Sequence, residues 1–231
     1  PYGGQGPNMP SDMFWPQKNV TLYANVTYNL WPVQNKIVAF EVRNPSGELV
    51  TILTAVSDEY GVAETLFRIP WPCDDPESLF GIWTITVTVD IACTVVNDTL
   101  SFHFDYMVRW VDVYTDKEEY GHCENVKITV DYKSYAIQQR RVLLTVVIHD
   151  ELDYPIGYAY LNTTVGDGDM GLWCQYAYYS ANFTIHVPKY AAAGVAKIHV
   201  NAYSHWPTDG GCPWVPEYAP APEINILPIW A

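Results

Sequence analysis

Residues 19–27 read Asn-Val-Thr-Leu-Tyr-Ala-Asn-Val-Thr, and this alternation constrains the fold more than any other feature. Val20, Leu22, Ala24 and Val26 share one parity, while Asn19, Thr21, Asn25 and Thr27 share the other. Side chains alternate faces along a β-strand, so such a segment has one face to bury and one to leave in water. The same signature recurs, and no stretch sustains a helical period. Strands are predicted at 19–28, 37–43, 49–54, 63–69, 82–91 and 99–107, then at 110–115, 125–132, 142–149, 156–164, 181–187, 196–204 and 223–227. Asn44-Pro45-Ser46-Gly47-Glu48, Asp58-Glu59-Tyr60-Gly61 and Asp150-Glu151-Leu152-Asp153-Tyr154-Pro155 supply the turn residues between them. Composition agrees: Tyr (18) and Pro (17) are abundant and charged residues make up only 16%, which suits strands and rigid turns better than helices.

The two series of strands read as a repeat. Phe67-Arg68-Ile69-Pro70 precedes Gly81-Ile82-Trp83-Thr84-Ile85-Thr86-Val87, and Ile185-His186-Val187-Pro188 precedes Gly194-Val195-Ala196-Lys197-Ile198-His199-Val200. About seven short strands per hundred residues is the pattern of an immunoglobulin-like sandwich. The expected fold is therefore all-β: two tandem immunoglobulin-like β-sandwich domains, 17–107 and 108–227, with extended N- and C-terminal tails at 1–16 and 228–231. Trp83, mid-strand among apolar neighbours, is expected in the first core.

Five Asn-X-Ser/Thr sequons begin at Asn19, Asn25, Asn97, Asn162 and Asn182. Asn19, Asn25, Asn97 and Asn182 take the parity opposite to the apolar residues of their strands, so they would point to solvent, where an N-linked glycan fits. Five cysteines, Cys73, Cys93, Cys123, Cys174 and Cys212, form no CxxC pair, and disulfides in an oxidising compartment explain them better than metal ligation. Cys174 with Cys212 is the best pair. Cys93 could meet Cys123 between subunits or Cys73 within its own domain. Sequons and cysteines together point to an extracellular or cell-surface location.

The run Lys36-Ile37-Val38-Ala39-Phe40-Glu41-Val42-Arg43-Asn44-Pro45-Ser46-Gly47, followed by Asp58-Glu59-Tyr60-Gly61-Val62-Ala63, resembles macroglobulin-like immunoglobulin domains of archaeal and bacterial cell-surface proteins. Pro155-Ile156-Gly157 and Val187-Pro188-Lys189…Gly194-Val195-Ala196 look like a sister domain. The resemblance implies a surface protein, similar to the thread-like extracellular filament subunits of archaea. It bears on fold more than on function.

Assembly is expected through an exchanged strand. The Gly- and Pro-rich stretch 3–10 makes a poor first strand, leaving domain one with an open edge, which is a template for another chain. Ile224, Ile226, Leu227, Ile229 and Trp230 are the expected donor, with docking on their own domain as the rival reading.

Chemistry is expected to be absent. The net charge is −14, which repels phosphate backbones and anionic lipid, so neither nucleic acid nor membrane is an expected partner, and no segment is apolar enough to span a bilayer. GxSxG, HExxH and phosphate-cradling motifs are missing. His103, His122, His149, His186, His199 and His205 are scattered, with His186 and His199 on the outward parity of their strands, so no metal site, catalytic residue or cofactor is expected. Acidic turns such as Asp167-Gly168-Asp169 read as solvated, with calcium at an inter-domain turn as a minor alternative. The expected function is a self-assembling, N-glycosylated structural subunit and not an enzyme. The rival is an adhesin or carbohydrate-binding module using Trp173, Trp206, Trp214, Tyr176, Tyr178 and Tyr179.

Overall fold

The computed structural model describes residues 2–4, 13–16, 18–70, 75–134, 136, 139–166 and 177–229. The fold is all-β and divides into two compact units, Pro1–Asp105 and Tyr106–Ala231.

In unit 1 the strands are β1 (Tyr2–Gly4), β2 (Met13–Phe14), β3 (Asn19–Asn25), β4 (Thr27–Tyr28), β5 (Trp31–Pro32), β6 (Ile37–Arg43), β7 (Leu49–Val56), β8 (Val62–Arg68), β9 (Gly81–Ile91) and β10 (Thr94–Phe104). One sheet runs β1-β3-β8 and the other β2-β10-β9-β6-β7, with β4 and β5 forming a small hairpin. In unit 2 the strands are β11 (Arg109–Thr115), β12 (Glu119–Tyr120), β13 (Asn125–Ser134), β14 (Arg140–His149), β15 (Pro155–Val165), β16 (Ala177–His186), β17 (Gly194–Tyr203) and β18 (Glu223–Ile226). Its sheets run β11-β13-β16 and β12-β18-β17-β14-β15. Strand for strand, the two orders are the same.

Alternation builds each core. β3 reads exposed, buried, partly buried, buried along its length, and β6 does the same, so Val20, Leu22 and Ala24 from one sheet meet Val38, Phe40 and Val42 from the other in a single cluster. Trp83 is 0% exposed at the centre of it. Its ring stacks on Phe102 at 6.2 Å and meets Phe104 edge-on at 6.3 Å, and its Nε1 donates to the Leu79 carbonyl at 2.9 Å, so the indole buries its area without losing its hydrogen bond. Val126, Ile128 and Val130 of β13 face the core of unit 2, as do Leu144, Val146 and Ile148 of β14.

The expected N-terminal tail is corrected. Tyr2, Gly3 and Gly4 pair with Tyr23, Leu22 and Thr21 of β3, and Met13–Phe14 lies parallel to the end of β10 with both side chains buried. The first strand is thus split into two short pieces, one on each sheet, with residues 5–12 between them in sequence. The open first edge expected for unit 1 is covered along Thr21–Tyr23. Unit 2 repeats the crossing: β11 lies on β13, and β12 runs parallel to β18.

Within this chain the C-terminal residues take the docked arrangement, the rival of the two expected readings. Ile224 and Ile226 are buried side chains of β18, which pairs with β17 and β12 of its own unit, and the Leu227 N–H donates to the Tyr120 carbonyl. Ile229 is exposed, and Trp230 lies outside the described residues. Ile226→Ala should therefore cost about 2–5 kcal/mol, whereas Ile229→Ala should stay within about 0.5 kcal/mol of the parent. Chemical denaturation of the two variants measures both.

A buried tyrosine locks the second crossing. The Tyr120 hydroxyl donates to Asp116 Oδ1 at 2.6 Å and accepts from the Lys117 N–H at 3.0 Å. Burial first, then the bond to Asp116, pushes the phenol up to about 12. The same bond, ahead of the other influences, holds the Asp116 carboxyl below its usual range. A raised phenol contributes stability that is whole below its unfolded value of about 10 and is lost as the pH climbs toward 12. A depressed carboxylate contributes stability that is whole above the unfolded value and is lost as the pH falls through the folded one. Tyr120→Phe should cost about 1 kcal/mol at neutral pH. The gap to the parent should narrow both in strong acid and above pH 10; a gap of constant size from acid to alkali in urea unfolding would refute the linkage.

Candidate functional site

The outward parity carries the residues of interest. Asn19, Asn25, Asn97, Asn162 and Asn182 are all exposed, on β3, β10, β15 and β16. Within β16, Phe183 and Ile185 are buried while Asn182 and Thr184 between and beside them are exposed. Asn25 and Asn97 line one shallow cleft with Val26, Val38 and Val89, and Asn162 lines another with Arg141 and Ser204. Asn182 Oδ1 accepts from the Thr129 hydroxyl at 3.0 Å.

One end of unit 1 is apolar. The β4–β5 hairpin turns through Asn29 and Leu30, both at positive φ (51° and 70°), and this turn lifts Leu30 and Trp31 into solvent at 96% and 77% exposure. Tyr28 and Tyr60 are exposed on the same hairpin and on the neighbouring turn. Gly61 brings the two together: its N–H bonds Asp58, its carbonyl accepts from Val26, and its φ is +78°. Added to the backbone of Gly61, a Cβ would lie 2.5 Å from the Val26 carbonyl oxygen, so only glycine fits. Ile37 and Val56, register partners at the same end, are exposed too. By strand register this end lies opposite Phe104, where the chain leaves the unit.

Cys93 sits in the β9–β10 turn at that apolar end, and Cys123 sits before β13, at the end of unit 2 opposite Arg109. Both are exposed free thiols, as is Cys212. Cys73 and Cys174, and with them the Cys174–Cys212 pair, lie outside the described residues, as do Trp173, Tyr176 and Asp167-Gly168-Asp169. The remaining aromatics separate. Trp214 is buried with its Nε1 donating to the Arg141 carbonyl at 2.9 Å, and Tyr179 stacks on Tyr132 at 5.3 Å. Tyr158, Tyr160, Tyr178 and Trp206 are exposed, with Tyr160 and Trp206 in edge contact at 5.0 Å.

The histidines do not stay scattered. His149 ends β14 and His199 lies in the middle of β17, both on the outward parity of adjacent strands. Register pairs His199 with Val147 and His149 with Lys197, so the two rings meet diagonally, at 4.7 Å between centroids. His149 Nδ1 bonds Asp153 Oδ1 at 2.9 Å, and that bond, the largest cause, lowers the Asp153 carboxyl. His199 Nδ1 bonds Glu217 Oε1. Its Nε2 is buried without a hydrogen-bond partner. One ligand atom from each of His149, Asp153 and His199 lies within 4.8 Å of the others. Outward parity was legible for His199; its juxtaposition with His149 depends on the β14–β17 register, which has no local sequence signal.

The turn that carries Asp153 is held by Asp150. Its Oδ1 accepts from the Leu152 and Tyr154 N–H groups and its Oδ2 from Ala192. Burial raises this carboxyl, but the three backbone donors and His149 outweigh burial and the net shift is downward. Glu151 Oε2 accepts from the Val195 N–H. These carboxylates cap the turn.

No family model and no curated protein matches the sequence. Among solved structures, a DUF4785 family protein from Legionella pneumophila is similar at 9% identity and a TM-score of 0.36, over 92% of this chain and 54% of that one. The C-terminal domain of wzt is similar at 9% identity and 0.40, over 54% of this chain and 75% of that one. The alkylpurine DNA glycosylase AlkC from Pseudomonas fluorescens, bound to DNA containing an abasic site analogue, is similar at 10% and 0.37, over 54% of this chain and 31% of that one. These likenesses are too distant to say what the chain does.

Proposed function

We infer that the chain is a structural subunit of an extracellular, N-glycosylated filament or surface layer, made of immunoglobulin-like sandwiches that join copies of themselves end to end. The carrying observation is the apolar end of unit 1, where Tyr28, Leu30, Trp31, Ile37, Val56 and Tyr60 are all exposed. Large apolar patches on a soluble surface mark interaction sites, and aromatic anchors dominate such contacts. The left-handed turn that presents Leu30 is costly for a branched residue, which fits a residue kept for contact and not for folding. Exposure of all five sequon asparagines supports secretion. β1 occupies the edge of β3, and β18 is paired on both sides by β12 and β17, so the hairpin end is the favoured junction. Cys93 lies at that end, and a bridge to Cys123 of the next copy would seal it.

A second reading has its own observation. Tyr158, Tyr160 and Trp206 form an exposed aromatic group in unit 2, of the kind that stacks on sugar rings, and this favours a carbohydrate-binding module of a surface protein.

Electron microscopy of the native chain should show regular filaments or sheets, and Leu30→Ser with Trp31→Ser should disperse them while the unfolding midpoint is kept, since both side chains are exposed. Dispersed particles from the parent chain would overturn the assembly reading and favour the binding module. Non-reducing electrophoresis of the assembled protein should give ladders that Cys93→Ser abolishes; ladders unchanged by that substitution would refute the Cys93 bridge.

A further inference from the structure

We propose that His149, Asp153 and His199 form a binding site for a divalent first-row metal cation of the zinc class, with Glu217 holding His199 in position. Imidazole nitrogens with one carboxylate suit zinc, cobalt or nickel over calcium or magnesium, which want oxygen cages. Three protein ligands leave a fourth position for water or a partner's ligand. The ligand atoms lie within 4.8 Å of one another, and about 3.3 Å separates neighbouring ligands around a tetrahedral ion with bonds near 2.0 Å, so side-chain shifts on the order of 1 Å close the set.

Three features favour a site over a chance meeting of surface groups. The first is the buried, unpartnered Nε2 of His199 beside a Glu217 carboxylate on Nδ1. Metal-bound histidines use this arrangement, in which the carboxylate fixes the tautomer that offers the other nitrogen to the metal. The cation would also replace the proton shared by His149 Nδ1 and Asp153 Oδ1.

The second is the backbone at Asp153. Unit 1 contains the same hairpin. Asn44 N–H bonds Glu48 and Gly47 N–H bonds Asn44, as Asp150 N–H bonds Tyr154 and Asp153 N–H bonds Asp150. The register slips by one residue at the same place, before Arg43 and before His149. The left-handed position is Gly47 at φ 84° in unit 1 and Asp153 at φ 63° in unit 2. A carboxylate is thus kept where glycine would be easier.

The third is that all three positions differ together. His149 corresponds to Arg43 by the hairpin, and His199 to Thr86 by the cross-strand register (Arg43 with Thr84, His149 with Lys197). Arg43 pairs with Glu41 at 2.6 Å and can hold no cation. The same scaffold therefore carries the set in one unit only. The chain's net charge of −14 adds a long-range attraction for any cation.

Calorimetric titration of the full chain with Zn²⁺ should give one ion bound per chain. His149→Gln and His199→Gln should each weaken it at least about tenfold, and Glu217→Gln by about 10–100-fold, as loss of an outer carboxylate does. His186→Gln should leave it unchanged. Asp153→Gly separates ligation from folding: it should weaken Zn²⁺ by about tenfold or more while holding or raising the unfolding midpoint, because Gly47 already serves the same turn in unit 1. Co²⁺ in place of Zn²⁺ should show the visible bands of nitrogen and oxygen ligands without thiolate charge transfer. No binding at millimolar Zn²⁺, binding indifferent to the His149 and His199 substitutions, or a thiolate spectrum would overturn the proposal.

Discussion

Burial of one parity of side chains from every long strand is the constraint on which the rest depends. Each unit closes two sheets over one apolar layer, and in unit 1 that layer is centred on Trp83, with Phe102, Phe104 and Phe67 against its ring. A slip of one residue in any strand would exchange the two faces and expose the whole inward set. Once the inward parity is fixed, the outward parity is fixed with it. The five sequon asparagines and the two histidines of β14 and β17 are consequences of the same register that packs the core.

The sequence made this part legible because period-2 alternation is local. Val20, Leu22 and Ala24 announce their face without reference to any other strand, and so do Phe183 and Ile185. The matched Pro and Gly signals before β9 and β17 were local too, and Gly81 and Gly194 indeed take up positive φ (134° and 127°) where those strands restart. What escaped is non-local. Tyr2–Gly4, Met13–Phe14 and Glu119–Tyr120 are too short to show a period, and each is a strand only because a neighbouring edge supplies its hydrogen bonds. Residues 94–98 of β10 are exposed on both faces, so no alternation marks them. The Ile224 and Ile226 side chains read as a sticky tail, yet β17 and β12 already claim them. Likewise, nothing near His149 in sequence signals that His199 will lie beside it.

Comparison of the two units separates what the scaffold needs from what it does not. Both need the split first strand, the parallel pairing that ends it and the capped hairpin after β6 or β14, and different residues satisfy each requirement. Asn44 Oδ1 accepts from the Glu48 N–H as Asp150 Oδ1 accepts from Tyr154. Where the requirement is equal but the residues diverge toward chemistry, as at Gly47 and Asp153, the difference is free to serve function. Unit 1 instead exposes apolar side chains at one end, and unit 2 an aromatic group and a histidine–carboxylate cluster on its outer face.

The proposed structural subunit requires that the outward faces of these sheets meet an extracellular, glycosylating environment. Mass spectrometry of peptides from the native protein tests it directly. The account predicts N-linked glycan mass on the peptides that contain Asn19, Asn25, Asn97, Asn162 and Asn182, all of them exposed. Five unmodified asparagines in protein taken from its native source would contradict it.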